Sequence, residues 1–552
     1  MTLFKIARWE WKFVIGVSVA ILILTTIPYI FAAEIPHPGK QFMGFILNVS
    51  DHTQYLAWYK GFQTQFLISN NQTSEPNPEI FFNLLWWVLS QFGWLTGLDY
   101  RMVYQIFRWV SGAAFLGMVY TTAAYFFEDV FRRRFAFLVI ALGSGLGWIW
   151  VVWKYIFNLQ EVPFPLDVYV AEGNAFLCIL AYPHFMQAAS FILGVMLLLL
   201  IGERQSRLRY AVWAGVVAFF LGWTHTYDLF LVWVIPVVYG GLKFLLERKF
   251  PTYWFRAMLI VGLISFPGAI YSVLLTRLNP IWEAVLAQFD NAGVFTPGLL
   301  HMLVLMGVPL LFALAALGFE LARLARRQPG GFLRSDTGLF VVVWFVVGWL
   351  LTYLPTDFQI HMLNSWQVPI VILMTIFVVD DLAPWFHKIP RLENKSRAVA
   401  ALMVFMVLPT NLYLFAWRFL DLSRLDYPYY LYTDEVAAME WLEENSPADS
   451  VVFSAYDSGS YIPGISGRTA FLSHWAQTVD FYGKRALAEE FYAVATTNAR
   501  RQQILEQYQI DYVLYGPAER TLGEFQKQGK PFLQAVFTTP EVILYAVNQD
   551  VP

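Results

Sequence analysis

Residues 12–32, Lys12-Phe13-Val14-Ile15-Gly16-Val17-Ser18-Val19-Ala20-Ile21-Leu22-Ile23-Leu24-Thr25-Thr26-Ile27-Pro28-Tyr29-Ile30-Phe31-Ala32, decide the fold class. After Lys12 the run carries no charge, and it is long enough to cross a hydrocarbon core, which takes about 20 residues. It follows Lys5, Arg8 and Lys12, is too long for a signal-peptide core and shows no small-residue cleavage site, so it reads as a retained span. Similar runs recur near 107–128, 135–157, 184–201, 209–224, 229–246, 254–275, 299–320, 337–354, 368–385 and 398–417, which makes about eleven spans by the length rule. Composition agrees. Only 14% of the 552 residues are charged and mean hydropathy is +0.50, whereas a soluble domain carries about 25% charged residues. The reading is an α-helical polytopic membrane protein with a C-terminal α/β soluble domain.

The positive-inside rule orients the spans. With the N-terminus in the cytoplasm, the inner turns carry Arg132, Arg133 and Arg134, then Arg204, Arg207 and Arg209, then Arg248 and Lys249. Arg323, Arg326, Arg327 and Arg334 follow, and then Lys388, Arg391, Lys395 and Arg397. Loops 158–183 and 355–367 have no Lys or Arg, and 276–298 has only Arg277. The long loops and everything after 418 therefore fall outside. This gives residues 1–417 as a membrane domain with outer loops 33–106 and 158–183, and 418–552 as an extracytoplasmic domain. No phosphate-binding glycine loop is present, so cytoplasmic nucleotide chemistry is not expected. A net charge of -3 without a basic arm gives no sign of nucleic-acid binding. The single cysteine, Cys178, excludes an internal disulfide and a cysteine metal site.

The first outer loop holds Ser50-Asp51-His52-Thr53-Gln54-Tyr55. Tyr55, Trp58, Tyr59 and Phe62 recur at helical spacing, which predicts a helix over 51–66. Ser50 or Asp51 suits the N-cap of that helix; Asp51 also suits a catalytic carboxylate, and the two roles can coexist. Residues 79–93 are apolar and Trp-rich, a pattern for a helix in the membrane interface. The second outer loop places Asp167 and Glu172 without any cation and runs into Pro183-His184. His225 and Asp228 share a tight turn, read equally as helix capping or as a functional site at membrane depth. Gln359 and His361 lie in the connection that includes Asp357. His52, His184, His225, His361 and His474 all fall outside, with His301 and His387 set apart from them. Such a His, Asp and Glu collection could ligate a divalent cation such as Mg or Mn, although no spacing matches a metal motif. Arg101 and Arg108 suit either a lipid phosphate or headgroup snorkelling.

After 418 the charge rises and apolar runs shorten. Helices are predicted at 433–445, 482–496, 498–508 and 518–527, and strands at 450–454, 511–515, 533–538 and 541–547. The connections between them carry Tyr456-Asp457-Ser458-Gly459 and Ser473-His474-Trp475, residue types common at a binding rim.

Together these features resemble the GT-C superfamily of polytopic glycosyltransferases that use polyprenyl-phosphate sugars. The resemblance is carried by Ser50-Asp51-His52-x-x-Tyr55 after the first span, by Asp167 and Glu172 leading to Pro183-His184, by the span number, and by the domain after the last span. Tyr461-Ile462-Pro463, Gly467-Arg468, His474-Trp475-Ala476 and Tyr512-Val513-x-Tyr515-Gly516-Pro517 resemble bacterial members. The first-loop acid is a carboxylate pair in several branches, but here Ser50 and His52 flank a single Asp51. The resemblance implies transfer of a sugar from a polyprenyl-phosphate donor to a lipid, glycan or protein acceptor at the outer face of a bacterial plasma membrane, in cell-envelope glycosylation. It implies Asp51 as base, with His52 stabilising the departing phosphate and Glu172 positioning the sugar or a metal. Substrate contacts would come from Tyr55, Asp167, His184, His225, Asp228, Arg101, Arg108, Gln359, His361 and His474. A transporter or flippase would instead need mid-span charges and inverted repeats, and an assembly protein would need no polar cluster at one face.

Overall fold

Hydrophobic length dominates the architecture. In the computed structural model, which describes residues 5–288, 296–327, 331–356, 358–384, 396–524 and 530–548, eight helices are long and apolar enough to cross a membrane, and a ninth if the bent pair Arg397–Met406 and Pro409–Leu422 counts as one span. The chain is a multi-pass membrane protein. Two runs expected as spans form helices of 16 residues, Arg209–Thr224 and Asp336–Leu351. At 1.5 Å per residue these rise about 24 Å, short of a hydrocarbon core of about 30 Å. Asp357, His387, Lys388, Arg391 and Lys395 lie outside the described residues.

The contacts divide the chain into two compact units, 1–27, 106–271 and 294–417 in one, and 28–105, 272–293 and 418–552 in the other. The first is the membrane unit. Three of its helical segments are broken, and the breaks complete one another. Between helices Val130–Leu142 and Gly147–Ile156, the Ser144 amide donates to Val407 O at 2.9 Å and the Leu146 amide to Val304 O at 2.7 Å. Asn411 Nδ2 donates to Leu142 O at 2.8 Å, and the Thr410 hydroxyl to Gly145 O at 3.1 Å. Gly307, at φ 62, kinks helix Leu299–Ala325 just before Pro309. Irregular backbone at membrane depth is tolerated where protein satisfies it, and here each break supplies the other's partners.

The second unit joins the first loop to the C-terminal segment. Strand β1 (Lys40–Phe42) pairs antiparallel with β2 (Tyr430–Tyr432), in the register Lys40↔Tyr432. Helix Val49–Gly61 packs on Ile462–Ser466 so closely that a Cβ on Gly464 would stand 2.5 Å from Leu56 Cγ, which is why glycine is needed there. Asn70 Nδ2 donates to Gln477 O and the Thr478 hydroxyl to Gln72 O. A five-stranded sheet has the order β4-β3-β5-β7-β6, from β3 (Val451–Phe453), β4 (Thr469–Ala470), β5 (Tyr512–Tyr515), β6 (Leu533–Thr538) and β7 (Ile543–Val547). β3 runs parallel to β4 and β5, while β7 is antiparallel to β5 and β6. Phe453, Phe471, Phe491, Tyr492, Val513 and Tyr545 form its core.

Candidate functional site

Asp51 stands in the first turn of helix Val49–Gly61, whose N-cap is Asn48 in the left-handed region (φ 42). Neither Ser50 nor Asp51 is the expected N-cap, because the helix already starts at Val49. The Asp51 carboxylate bonds side chains. Oδ2 accepts from Asn48 Nδ2 at 2.5 Å, and Oδ1 faces His474 Nε2 at 3.4 Å. The first helical turn also favours negative charge. Burial alone would raise the Asp51 carboxyl, but His474, His52 and Asn48 outweigh it and hold it below the ordinary carboxylate range. Its side chain is 29% exposed, whereas that of His474 is 3% exposed.

The neighbouring residues are more enclosed. His52 is buried with its ring stacked on Phe45 at 5.0 Å and edge-on to Tyr104 at 5.3 Å. The ring of His52, expected as a catalytic group, is thus packed in an aromatic cage. Tyr55 stacks on Trp86 at 4.5 Å. Arg101 pairs with Asp99 at 3.1 Å and donates to Phe42 O, its stem lying against Gly44. His474, expected to touch substrate, faces Asp51 instead.

In the membrane unit a second group forms at helix starts. His184 follows Pro183 at the N-terminus of helix Pro183–Gln205 and lies 5.9 Å, ring to ring, from His225. His225 Nδ1 bonds Asp228 Oδ2 at 2.6 Å, and Asn364 Nδ2 donates to the same oxygen at 2.8 Å. The His225 Nε2 lies 2.7 Å from the Tyr227 hydroxyl oxygen. Tyr227 stacks on His361 at 4.7 Å, and His361 Nδ1 bonds the buried Glu172. Gln359 opens the same short helix, Gln359–Leu363, and is half-buried.

Asp167 is fully buried, its Oδ2 accepting the Gly147 amide at 2.8 Å and the Thr410 hydroxyl at 3.2 Å. Burial pushes its carboxyl up to about 7, against both donors. It thus finishes the broken helix at Gly147. Arg108, expected beside a phosphate, is fully buried and donates to Thr25, Thr26 and Ile179 O. His301, set apart from the other histidines by its place in the sequence, joins the Asp167 loop. Its Nε2 accepts the Leu166 amide at 3.2 Å and its ring lies 5.2 Å from Trp150, which puts it beside the Asp167 loop. Its position at the start of helix Leu299–Ala325 was the available signal.

Among the described residues, no three His, Cys, Asp or Glu side chains are grouped to hold a metal ion. Glu172, Asp228 and Asp167 each accept a protein donor, while Oδ1 of Asp167 and of Asp228 is buried without a hydrogen bond.

No family model and no curated protein sequence matches the chain. Solved structures do. The Archaeoglobus fulgidus oligosaccharyltransferase tethered to an acceptor peptide is 13% identical, with a TM-score of 0.57 over 98% of this chain and 74% of its own. ArnT from Cupriavidus metallidurans, solved with undecaprenyl phosphate, is 11% identical, with a TM-score of 0.51 over 98% of each chain. The mycobacterial arabinofuranosyltransferase AftD is 13% identical with a TM-score of 0.56, and this chain spans 40% of its length. The chain has the GT-C fold of these proteins.

Proposed function

We propose that the chain is an integral membrane glycosyltransferase that moves a sugar from a polyprenyl-phosphate donor to an acceptor hydroxyl, with Asp51 as general base. The observation that carries this reading is a partly exposed carboxylate, held ionised by Asn48 and His474, on the fold of enzymes whose solved complexes include undecaprenyl phosphate and an acceptor peptide. In this reading the N-terminus is cytoplasmic and residues 418–552 lie outside the plasma membrane of a bacterium.

The chemistry asks little else of the protein. The acceptor oxygen attacks the anomeric carbon, and the carbon–oxygen bond to phosphate breaks. The electron pair leaves on the polyprenyl phosphate, and Asp51 takes the acceptor proton. Attack opposite the leaving phosphate inverts the anomeric centre. The test is transfer from undecaprenyl-phosphate sugars in proteoliposomes, comparing wild type with Asp51→Asn. Loss of transfer in a folded variant supports the reading, and wild-type transfer refutes it.

A further inference from the structure

We propose that His474 is the positioning residue of Asp51, an imidazole locked as the Nε2–H tautomer that aims and holds the carboxylate. This rests on the reading of Asp51 as base. The lock comes from backbone. His474 Nδ1 lies 3.1 Å from the Ala476 amide nitrogen and 3.3 Å from that of Gln477. A peptide N–H can only donate, so Nδ1 presents its lone pair and the proton of the neutral ring sits on Nε2. Nε2 faces Asp51 Oδ1 at 3.4 Å, an atom that can only accept when ionised. The dyad is therefore directional. His474 Nε2 donates and Asp51 accepts.

Exposure divides the roles in the same way. The His474 side chain is 3% exposed with Trp475 packed at 4.8 Å, so water does not replace its bond, while Asp51 keeps 29% exposure for a substrate. The bond is long without substrate, as catalytic hydrogen bonds often are. Asn48 fixes the other oxygen. The remaining titratable groups acting on Asp51 are His52, beside it in the helix, and Tyr456. Burial, with Asp457 and Asp51 adding to it, pushes the Tyr456 phenol up to about 12, so it stays neutral. Removing the Nε2 donor should therefore move Asp51 without another charge compensating.

His474→Asn separates position from packing, because its side-chain oxygen can accept the two amides while nothing reaches Asp51. His474→Gln restores an N–H near the Nε2 position. The purified full chain in detergent is titrated by infrared difference spectroscopy, with the Asp51 band assigned by its loss in Asp51→Asn. We expect the band in His474→Asn to titrate about one pH unit higher, a tenfold change in proton affinity, and His474→Gln to return most of that shift. With undecaprenyl-phosphate sugars, the acid limb of kcat/KM should move the same way with KM little changed. An unmoved Asp51 titration in folded His474→Asn overturns the proposal, as does a merely uniform loss of rate at every pH. If Asp51→Asn transfers sugar as wild type does while the infrared shift holds, the base assignment falls and the His474 coupling stands.

Discussion

Asp51 and Asp228 make the instructive pair. Each belongs to its own unit, each sits at a helix start, and each bonds a histidine. Asp228 is fully buried, with His225 at 2.6 Å and Asn364 at 2.8 Å on a single oxygen. Asp51 is partly exposed, with Asn48 at 2.5 Å on one oxygen and its histidine only at 3.4 Å on the other. Short bonds inside a closed shell fix structure, because breaking a buried pair strands its partners. A longer bond at an opening leaves a carboxylate ionised and reachable. A His–Asp juxtaposition therefore gains its meaning from enclosure.

That contrast can be broken by experiment. Asp51→Asn should lower transfer by about a thousandfold, in the range of a lost general base, with thermal unfolding little changed. Asp228→Ala should behave in the opposite way. It should cost about 3–5 kcal/mol of stability, read as a lower melting temperature in detergent. If Asp51→Asn proves the greater loss of stability, the distinction collapses.

A smaller effect sharpens it inside the unit of Asp51. Glu435 there is fully buried, accepting the Tyr427 hydroxyl and the Tyr432 amide, and the Glu519 carboxylate lies across Gly516. Burial first, and Glu519 second, push it up to about 7. The folded chain then holds a proton that the unfolded chain releases near 4.5. Stability from this group is greatest at low pH and falls as pH climbs from 4.5 to about 7. The melting temperature should drop between pH 5 and pH 8 by the equivalent of about 1–3 kcal/mol, and Glu435→Gln should flatten the decline. The smallest effect concerns the seam between first loop and C-terminal segment. Lys60 pairs with Glu443 at 2.6 Å, partly exposed. Lys60→Ala should cost less than about 1 kcal/mol by denaturation, since strand pairing and the Gly464 contact carry that seam.

Much of this was legible from residue order. The helix expected at 433–445 is Thr433–Asn445, and the strand expected at 533–538 is Leu533–Thr538. Both carry their signals locally, in periodicity and β-branched or aromatic content. The grouping of 28–105 with 418–552 was not legible, because β1 and β2 are three residues each and too short to show alternation. Arg108 read as an anion partner because sequence shows a charge and hides the Thr25 and Thr26 hydroxyls that enclose it. The tautomer of His474 depends on the amides of Ala476 and Gln477, a turn geometry that no pattern of side chains encodes.

The mutually completed breaks of the membrane unit carry a consequence for biogenesis. The Ser144 and Leu146 amides emerge from the ribosome early, yet their acceptors Val407 and Val304 are synthesised far later. Until then these amides have no mate in hydrocarbon and must be sheltered by water, lipid headgroups or the insertion machinery. The helices therefore cannot be released to the bilayer one at a time in finished form, and their maturation waits on the last segment to be made.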